Sequence, residues 1–572
     1  MSIRPDNLTL DKLLQGRLFR IPDYQRAYSW ETKQRNDLFE DIKKLAKNPN
    51  NERHHFMSTV VCLQTKQKEE VGADEFGIFY IVDGQQRLTT LIILLKALAK
   101  ALAKGDEIER KESSKLSELL VKENGRLILL QTNHDNKLLF RNYLTKGKIP
   151  IEEDLETSAD KNIIRAFNEC EKFVNEWNRN PNLNLISLLK LVKNRLDFIF
   201  YVLDDEGAVH TTFEVLNSRG LEVDWLDKCK SILMGIACEK LADASQEHIE
   251  QIHECWSKIY KTIGLKKIEG QEILRFAAAL EDSSATRKIS TAEKAMEFFR
   301  EKCQNNAEYT IDVSQKFLDI AKELRKLVTD RRLKAVSKIS HARLLAIAIK
   351  LNRVLNESEK QKVLNEWEKV TFRIFGLHRK DGRTKVGEYV RLARYIFQAN
   401  ANTLFDEINQ KVANLGKEYP SSEIGKKIRE TNCYEGWEDE LIYFLYCYEE
   451  FLTKEYGGSI SNELWVQVWN SSSTKTIEHI HPQTINDAWR GKLGIKKDYI
   501  GRQTQRLGNL IILPPSVNSI AGNKSFQDKK EIYKKHRGLK ILEEVIALDD
   551  WDDKTLSERE DRLITWAQNE WA

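Results

Sequence analysis

Glu478-His479-Ile480-His481-Pro482-Gln483, followed by Asn509 and Asn518, holds the residue types a metal-assisted phosphodiesterase needs, all between positions 478 and 518. Phosphodiester hydrolysis requires an activated water, a cation on the scissile phosphate and stabilisation of the leaving oxygen. His479 is the natural general base, because imidazole titrates near neutral pH. Glu478 and Asn518 offer oxygen ligands to a hard cation, Mg²⁺ or Mn²⁺. Asn509 is expected to hold the His479 ring in its working orientation. In a regular strand Glu478 and His479 point to opposite faces and His481 shares the face of His479. The chemistry therefore demands a bend or a strand end just before Pro482. For either histidine alone a packed or surface position is the simpler reading; the joint pattern outweighs it.

A second constellation, Asp83-Gly84-Gln85-Gln86-Arg87, follows the apolar Ile81-Val82 and precedes a long apolar-striped segment. That places a tight turn at the start of a helix, where free backbone N–H groups attract phosphate. Gly84 lets the backbone approach closely, Arg87 adds a bidentate partner, and Asp83 either positions a metal or water or caps the helix. By spacing alone, a well-capped structural helix is the simpler reading of these residues.

The elements that must position these groups follow from pattern. Segments 18–21, 60–63, 78–82 and 198–203 read as strands, and 8–18, 39–45 and 85–102 as helices, so the N-terminal third is α+β. A loop over 204–208 and a helix from about Thr211 are expected next. Helical periodicity dominates 236–455, as in 293–304, 313–328, 339–355 and 358–375, and only Pro181 and Pro420 interrupt 160–481. Strands over 475–480 and 509–513, then a helix capped by Ser525 and running to about Lys535, give a C-terminal ββα arrangement. The expected organisation is multidomain and mainly α: an α+β domain over 1–235, an all-helical domain over 236–455 and a nuclease domain over 456–572.

The bulk properties narrow the class. The 572 residues exceed one core. The net charge of +4, from 91 Lys+Arg against 87 Asp+Glu, is too balanced to argue nucleic-acid binding from the total. Local basic clusters have to carry it. Arg379-Lys380-Asp381-Gly382-Arg383-Thr384-Lys385, with Arg391 and Arg394, is one, although a solvated face is its simpler reading. Lys529, Lys530, Lys534, Lys535 and Arg537 lie closer in sequence to the candidate nuclease residues. No apolar run reaches the roughly 20 residues of a membrane span. The N-terminus has no signal-peptide core, and the eight cysteines form no CxxC pair. A cytoplasmic protein with buried free thiols and no membrane contact is expected.

At Glu478-His479-x-x-Pro482, then Asn509, then Asn518, the chain resembles the HNH, or ββα-metal, nucleases. Gln505-Arg506-Leu507-Gly508-Asn509-Leu510, with Asn518, Asn523, Phe526 and Lys529, is similar to the C-terminal domain of the GmrSD type IV restriction enzymes. The resemblance makes Asn523 a rival to Asn518 as metal ligand. Ile21-Pro22-Asp23-Tyr24-Gln25-Arg26-Ala27-Tyr28-Ser29-Trp30, Asp83-Gly84-Gln85-Gln86-Arg87 and Phe213-Glu214-Val215-Leu216-Asn217-Ser218-Arg219-Gly220 resemble the ParB-like N-terminal domain of the same proteins. It covers about residues 8–235, and the C-terminal resemblance about 460–545. What it implies is binding and hydrolysis of a nucleoside triphosphate (GTP, UTP or ATP). The site would be gathered from Tyr24, Gln25, Arg26, Asp83, Gly84, Gln85, Gln86, Arg87, Asn217 and Gly220, with Asp83 and Arg87 acting on the phosphates. One departure is His55-Phe56-Met57-Ser58, where relatives often carry His-Phe-x-Gly, and it leaves the roles of His54 and His55 open. Tyr24, Tyr28 and Trp30 read as core or ring-packing groups rather than base stackers.

The function expected is a modification-dependent DNA endonuclease of a single-chain anti-phage restriction system, regulated by the nucleotide. Its partners would be DNA, above all modified phage DNA, and the triphosphate. A homodimer is compatible with double-strand cleavage by a one-metal site. The alternatives are a nucleotide-dependent DNA-binding switch or DNA-nicking sensor, for example of phosphorothioate DNA, with a vestigial nuclease, and an RNA-directed nuclease.

Overall fold

The computed structural model describes residues 6–22, 25–47, 54–133, 137–150, 155, 157–203, 225–241, 245–264, 270–284, 287–457, 461–469, 473–494, 497–536 and 538–572. The chain is mostly helical, and among the described residues its largest sheet is a six-stranded mixed one. It divides into two compact units. One comprises 1–275 with 291–322, the other 276–290 with 323–572, so the helical stretch expected as a middle domain is shared between them.

The first unit is built on a six-stranded sheet in the order β1-β8-β3-β4-β2-β7. Its strands are β1 (Asp6–Thr9), β2 (Arg17–Arg20), β3 (His55–Val71), β4 (Asp74–Asp83), β7 (Leu130–Gln131) and β8 (Leu196–Leu203). A small pair, β5 (Val121–Lys122) with β6 (Leu127–Ile128), stands apart. β3 and β4 form a long antiparallel hairpin, and β2 and β8 add to it in parallel. The segment expected as a helix over 8–18 is instead β1 followed by the short helix Leu10–Leu14. Leu8 and Asn7 pair with Phe198 and Ile199 of β8, so sheet pairing overrides helical spacing there.

Helix Gln85–Leu102 is the hub of this unit. Leu88, Leu91, Ile92, Ile93, Leu94, Leu95 and Leu98 are buried, which is why it reads as apolar almost all round. The helix Ser158–Arg179 packs on it, and the helix Thr32–Ala46 packs on the latter. Arg35, fully buried, is fixed there by Glu169 at 2.6 Å and by the Trp30 carbonyl. That contact sets where the loop 25–31 meets the helices.

In the second unit, helices Ser340–Lys350, Glu357–Thr371 and Val386–Phe397 pack together, and a π-helical turn, Phe372–Leu377, extends the second of them. The C-terminal part holds a two-stranded antiparallel sheet, β9 (Ile477–His479) with β10 (Leu510–Ile512). Helices Pro515–Ala521 and Phe526–Lys535 follow, the second capped by Ser525, which accepts from the Asp528 N–H. Both strands are shorter than expected: 473–476 is a helical turn and 507–509 a 3₁₀ turn. The tail helix Asp553–Glu570 closes this part, with Trp551, Trp566 and Trp571 buried. Gly508 abuts that helix so closely that a Cβ would lie 2.4 Å from the Leu556 carbonyl. The seven described cysteines are free and buried, as expected. Among the described residues no helix is long and apolar enough to cross a membrane.

Candidate active site and ligand pocket

The strand pairing sets the first site. His479 lies opposite Leu510 and Glu478 opposite Ile511, so the two side chains leave β9 on opposite faces, as strand alternation requires. Immediately afterwards the chain bends, at Ile480-His481. Asn509 makes the bend: it is fully buried, its Oδ1 accepts from the His481 N–H at 2.8 Å, and its Nδ2 donates to the His481 and Thr504 carbonyls, both at 2.9 Å. The Asn509 carbonyl accepts from the Ile480 N–H as well. Asn509 was expected on the His479 ring; both polar atoms of its side chain are used on backbone groups instead. His481 is packed in the bend, its ring 4.7 Å from that of Trp489, and takes no part in the open face.

The His479 ring is held by glutamines. Its Nε2 lies 3.5 Å from Gln505 Oε1 and 3.3 Å from Gln483 Nε2. The two amides suit opposite tautomers: Gln505 accepts when Nε2 carries the proton, and Gln483 donates when it does not. With the proton on Nε2, Nδ1 keeps the basic lone pair. The ring of Tyr434, on the short helix Cys433–Gly436, covers His479 edge-on at 4.3 Å. Only 8% of the histidine remains exposed, and burial pushes its pKa down to about 4.

Glu478, expected as an oxygen ligand, faces inward. It is 3% exposed, and its Oε1 accepts from Lys529 Nζ at 2.6 Å and Tyr533 OH at 3.0 Å. Lys529 also donates to the His479 and Ile480 carbonyls, at 2.7 and 3.1 Å, so its three N–H groups are used inside the protein. Burial pushes the Glu478 carboxyl up and the Lys529 ammonium down, and their mutual attraction opposes both shifts. Lys529 is thus withdrawn from any phosphate. Lys530 is tied to the Leu548 carbonyl, Lys534 to Glu531, and Arg537 lies outside the described residues.

Asn518 is oriented by the neighbouring strand. Its Nδ2 donates to the Lys475 and Ile477 carbonyls at 2.9 and 3.0 Å, which aims Oδ1 away from them. Asn523 contributes its backbone carbonyl to Asn486 Nδ2 at 2.7 Å. Among the described residues no group of three or more His, Cys, Asp or Glu side chains is arranged to hold a metal ion.

The second site opens at the head of helix 85–102. Gly84 has φ 91° and sits against β3, where a Cβ would meet the Thr59 carbonyl and Val60 Cγ2 at 3.1 Å. Glycine is therefore demanded both by conformation and by space. Gln86 Oε1 accepts from the Ser29 and Trp30 N–H groups at 2.8 and 3.3 Å, and its Nε2 donates to the Ala27 carbonyl at 3.1 Å. Gln85 Nε2 donates to Gln25 Oε1 at 3.0 Å, and Gln25 Nε2 to the Val82 carbonyl at 2.9 Å. Gln25, Gln85 and Gln86, expected to touch a nucleotide, are largely buried and tie the loop 25–30 to the helix, and they also line the cavity at its head. Tyr28 and Trp30 are core groups, as expected.

The charged and titratable side chains lining this cavity of about 500 Å³ include Arg26, Arg87, Asp83, Asp37, Asp41 and His55. Asp83 does not cap the helix; its carboxylate accepts the Gly84 N–H, and burial raises its pKa against the pull of Arg87 and Arg26. Burial lowers both arginines, while carboxylates, Asp83 among them, pull them back. Arg87 stacks 5.7 Å above the Trp30 ring. His55 Nε2 lies 3.5 Å from Asp41, whereas His54 turns away to Asp197 at 3.0 Å. Tyr24, Asn217 and Gly220 lie outside the described residues.

Sequence reasoning missed Gln505 and Gln483 as the groups on His479, Tyr434 as its cover, and Asp37 and Asp41 as pocket walls. Asp37 and Asp41 carried a signal, being four apart on a helix and hence on one face. Residues 9–234 match the family model described as GmrSD restriction endonuclease, N-terminal domain. Residues 420–566 match that of the GmrSD restriction endonucleases, C-terminal domain. No curated protein matches the chain.

Proposed function

The chain belongs to the GmrSD restriction endonucleases by both of its terminal domains, and on that premise we propose that it hydrolyses DNA phosphodiesters at His479 under the control of a nucleoside triphosphate bound at the head of helix 85–102. His479 Nδ1 takes the proton of the attacking water, with Gln505 holding the opposite nitrogen. Asn518 Oδ1 would hold Mg²⁺ or Mn²⁺, which would supply charge to the scissile phosphate. Mg²⁺ keeps several waters and is commonly held by one or two protein groups plus phosphate oxygens, which suits a site where Glu478 is already paired. The observation that carries this reading is the strand end fixed by Asn509, with His479 just before the bend and Asn518 hydrogen-bonded to the same strand. The ββα order of β9, β10 and the helices after them supports an HNH-type domain.

The pocket supports triphosphate binding by its size, its two arginines and its place at a helix start, whose first N–H groups have no intrahelical acceptor. Its carboxylates Asp37, Asp41 and Asp83 would repel a bare triphosphate, so the nucleotide is expected to enter with a divalent cation. Modified phage DNA remains the substrate proposed for the whole protein, with defence against phage as its role.

The test is cleavage of unmodified and glucosylated-hydroxymethylcytosine DNA with Mg²⁺, with and without each triphosphate, by wild type and His479→Ala. Cleavage confined to modified DNA and lost in the variant is the expected result; undiminished cleavage by His479→Ala would overturn the assignment. A second reading, a nucleotide-dependent DNA-binding switch or nicking sensor with a weak nuclease, is favoured by the near-complete burial of His479. It predicts nucleotide-dependent DNA binding with no metal-dependent nicking.

A further inference from the structure

Helix Glu357–Thr371 runs directly into the π-helical turn Phe372–Leu377, and the chain then makes an exposed loop, Arg379-Lys380-Asp381-Gly382-Arg383. π turns are rare and concentrate at functional positions. Arg379 and Lys385, at the two ends of the loop, both adopt left-handed backbone (φ 51° and 58°), uncommon for residues other than glycine. The loop is braced from within: the Lys380 N–H donates to the Ile374 carbonyl at 3.2 Å and the Thr384 N–H to the Asp381 carbonyl at 2.9 Å. Lys385 is drawn inward to Glu388 and Glu418. The exposed acid of the loop, Asp381, is covered by Arg383 at 2.9 Å. Beside the loop, the backbone of Arg287 and the side chain of Arg391 both approach Gly387, where a Cβ would lie 3.4 Å from Arg287 Cα and 3.1 Å from Arg391 Nη1. Arg287, Lys288 and Arg391 are exposed. The result is one face with cations in excess.

Arg379 differs from the other cations on this face. Its Nη2 donates to the Gly436 carbonyl at 3.2 Å, and its guanidinium fills the space where a Cβ on Gly436 would stand, 2.8 Å from Nη1. Gly436 ends the short helix whose Tyr434 ring covers His479. A single helical turn therefore separates the basic loop from the candidate general base.

We propose that this loop face binds the phosphate backbone of DNA, and that Arg379, drawn from the Gly436 carbonyl to a phosphate, releases the Tyr434 ring from His479. A phosphate offers Arg an ionised, bidentate partner, which a carbonyl cannot match, and each neutralised phosphate gains counterion release. The loop would thus report the arrival of DNA to the imidazole before any bond is cut.

The inference rests on reading His479 as the reacting imidazole, so it is tested without turnover. In the first experiment the whole protein binds a labelled 30-base-pair unmodified duplex without divalent cation, across a KCl series. The triple variant Arg379→Ala/Lys380→Ala/Arg383→Ala should bind roughly tenfold or more weakly, with a salt slope shallower by up to about 0.9 per lost phosphate contact. Wild-type affinity and slope would remove the surface. In the second, acylation of His479 by diethyl pyrocarbonate is followed by peptide mass in the DNA-free protein. Tyr434→Ala and Arg379→Ala should react several-fold faster than wild type. Arg383→Ala, which contacts only its own loop, should react like wild type and controls for general loosening. An Arg379→Ala protein as slow as wild type would overturn the latch, and a slow Tyr434→Ala would overturn the cover. If His479→Ala still cuts DNA, the nuclease reading fails while these binding and acylation results stand on their own.

Discussion

Lys529 Nζ and Glu478 Oε1 meet at 2.6 Å in the interior of the C-terminal domain, directly behind the strand that carries His479. Removing one partner of a buried pair leaves an uncompensated charge and typically costs about 3–5 kcal/mol. Lys529→Met should lower unfolding stability by that order in urea denaturation. The double variant Glu478→Leu/Lys529→Met should recover part of the loss but not all, because the His479 and Ile480 carbonyls lose their donor.

The same pair makes a statement about the metal. Glu478→Gln should leave the Mg²⁺ midpoint of nicking where it is in wild type, whereas Asn518→Ala should move it to higher concentration by tenfold or more. A large shift for Glu478→Gln with none for Asn518→Ala would return the glutamate to the cation.

Gln505 and Asn509 are separable. Gln505→Leu should reduce nicking by about 10–100-fold, as loss of an orienting group commonly does, with little change in stability, since Gln505 contacts His479 from the edge of the site. Asn509→Ala removes two hydrogen bonds to His481 at the bend and one to the Thr504 carbonyl, and should destabilise the domain by about 2–4 kcal/mol as well as stop nicking. Equal stability losses for the two would refute the division of roles.

In the N-terminal pocket, Arg87→Ala should weaken triphosphate binding by tenfold or more, measured by calorimetry, with stability nearly unchanged. Gln86→Leu should weaken binding indirectly and also cost about 1–3 kcal/mol of stability, because it leaves the Ser29 and Trp30 N–H groups and the Ala27 carbonyl unpaired.

Glu449 supplies a pH dependence. It is fully buried and caps helix Lys540–Ile546 by accepting the Lys540 and Ile541 N–H groups at 2.6 and 2.7 Å. Burial nevertheless pushes its pKa from 4.5 up to about 7. The folded state therefore holds this proton more tightly than the unfolded chain. Its contribution is complete below pH 4.5 and declines as pH rises to about 7, by about 3 kcal/mol in total. Glu449→Gln should flatten the stability profile over that window; an unchanged slope would assign it to other groups.

Much of the scaffold was legible in the sequence, and less of the site. Gln85–Leu102 was bounded correctly because Gly84 and an uninterrupted apolar pattern mark it unambiguously. The outer half of the β3–β4 hairpin was not, since Thr65-Lys66-Gln67-Lys68-Glu69-Glu70 has no apolar face to announce a strand. Strand alternation already argued that Glu478 and His479 diverge, and the structure follows that rule rather than the expectation that chemistry would gather both. That Gln85 and Gln86 also brace the loop could not be read in one dimension, because their side-chain partners come from 25–30, more than fifty residues earlier. Tyr434 stands 45 residues before His479 (479 − 434) on an unrelated segment, so nothing local could connect them.

The π turn at 372–377 has a consequence for how this chain tolerates insertion and deletion. Such a turn carries one residue more than an α-helix needs. Losing a single residue between Phe372 and Leu377 would let the turn close into ordinary α-helix with little change of phase beyond it, whereas losing one from the regular helix before it would rotate every side chain that follows by about 100° about the axis. His378 would then leave the Pro420 carbonyl, and Arg379 would swing off Gly436. The aim of the basic loop is thus stored as a frame, in the count of residues, and a one-codon deletion in the regular helix that alters no charge would erase it.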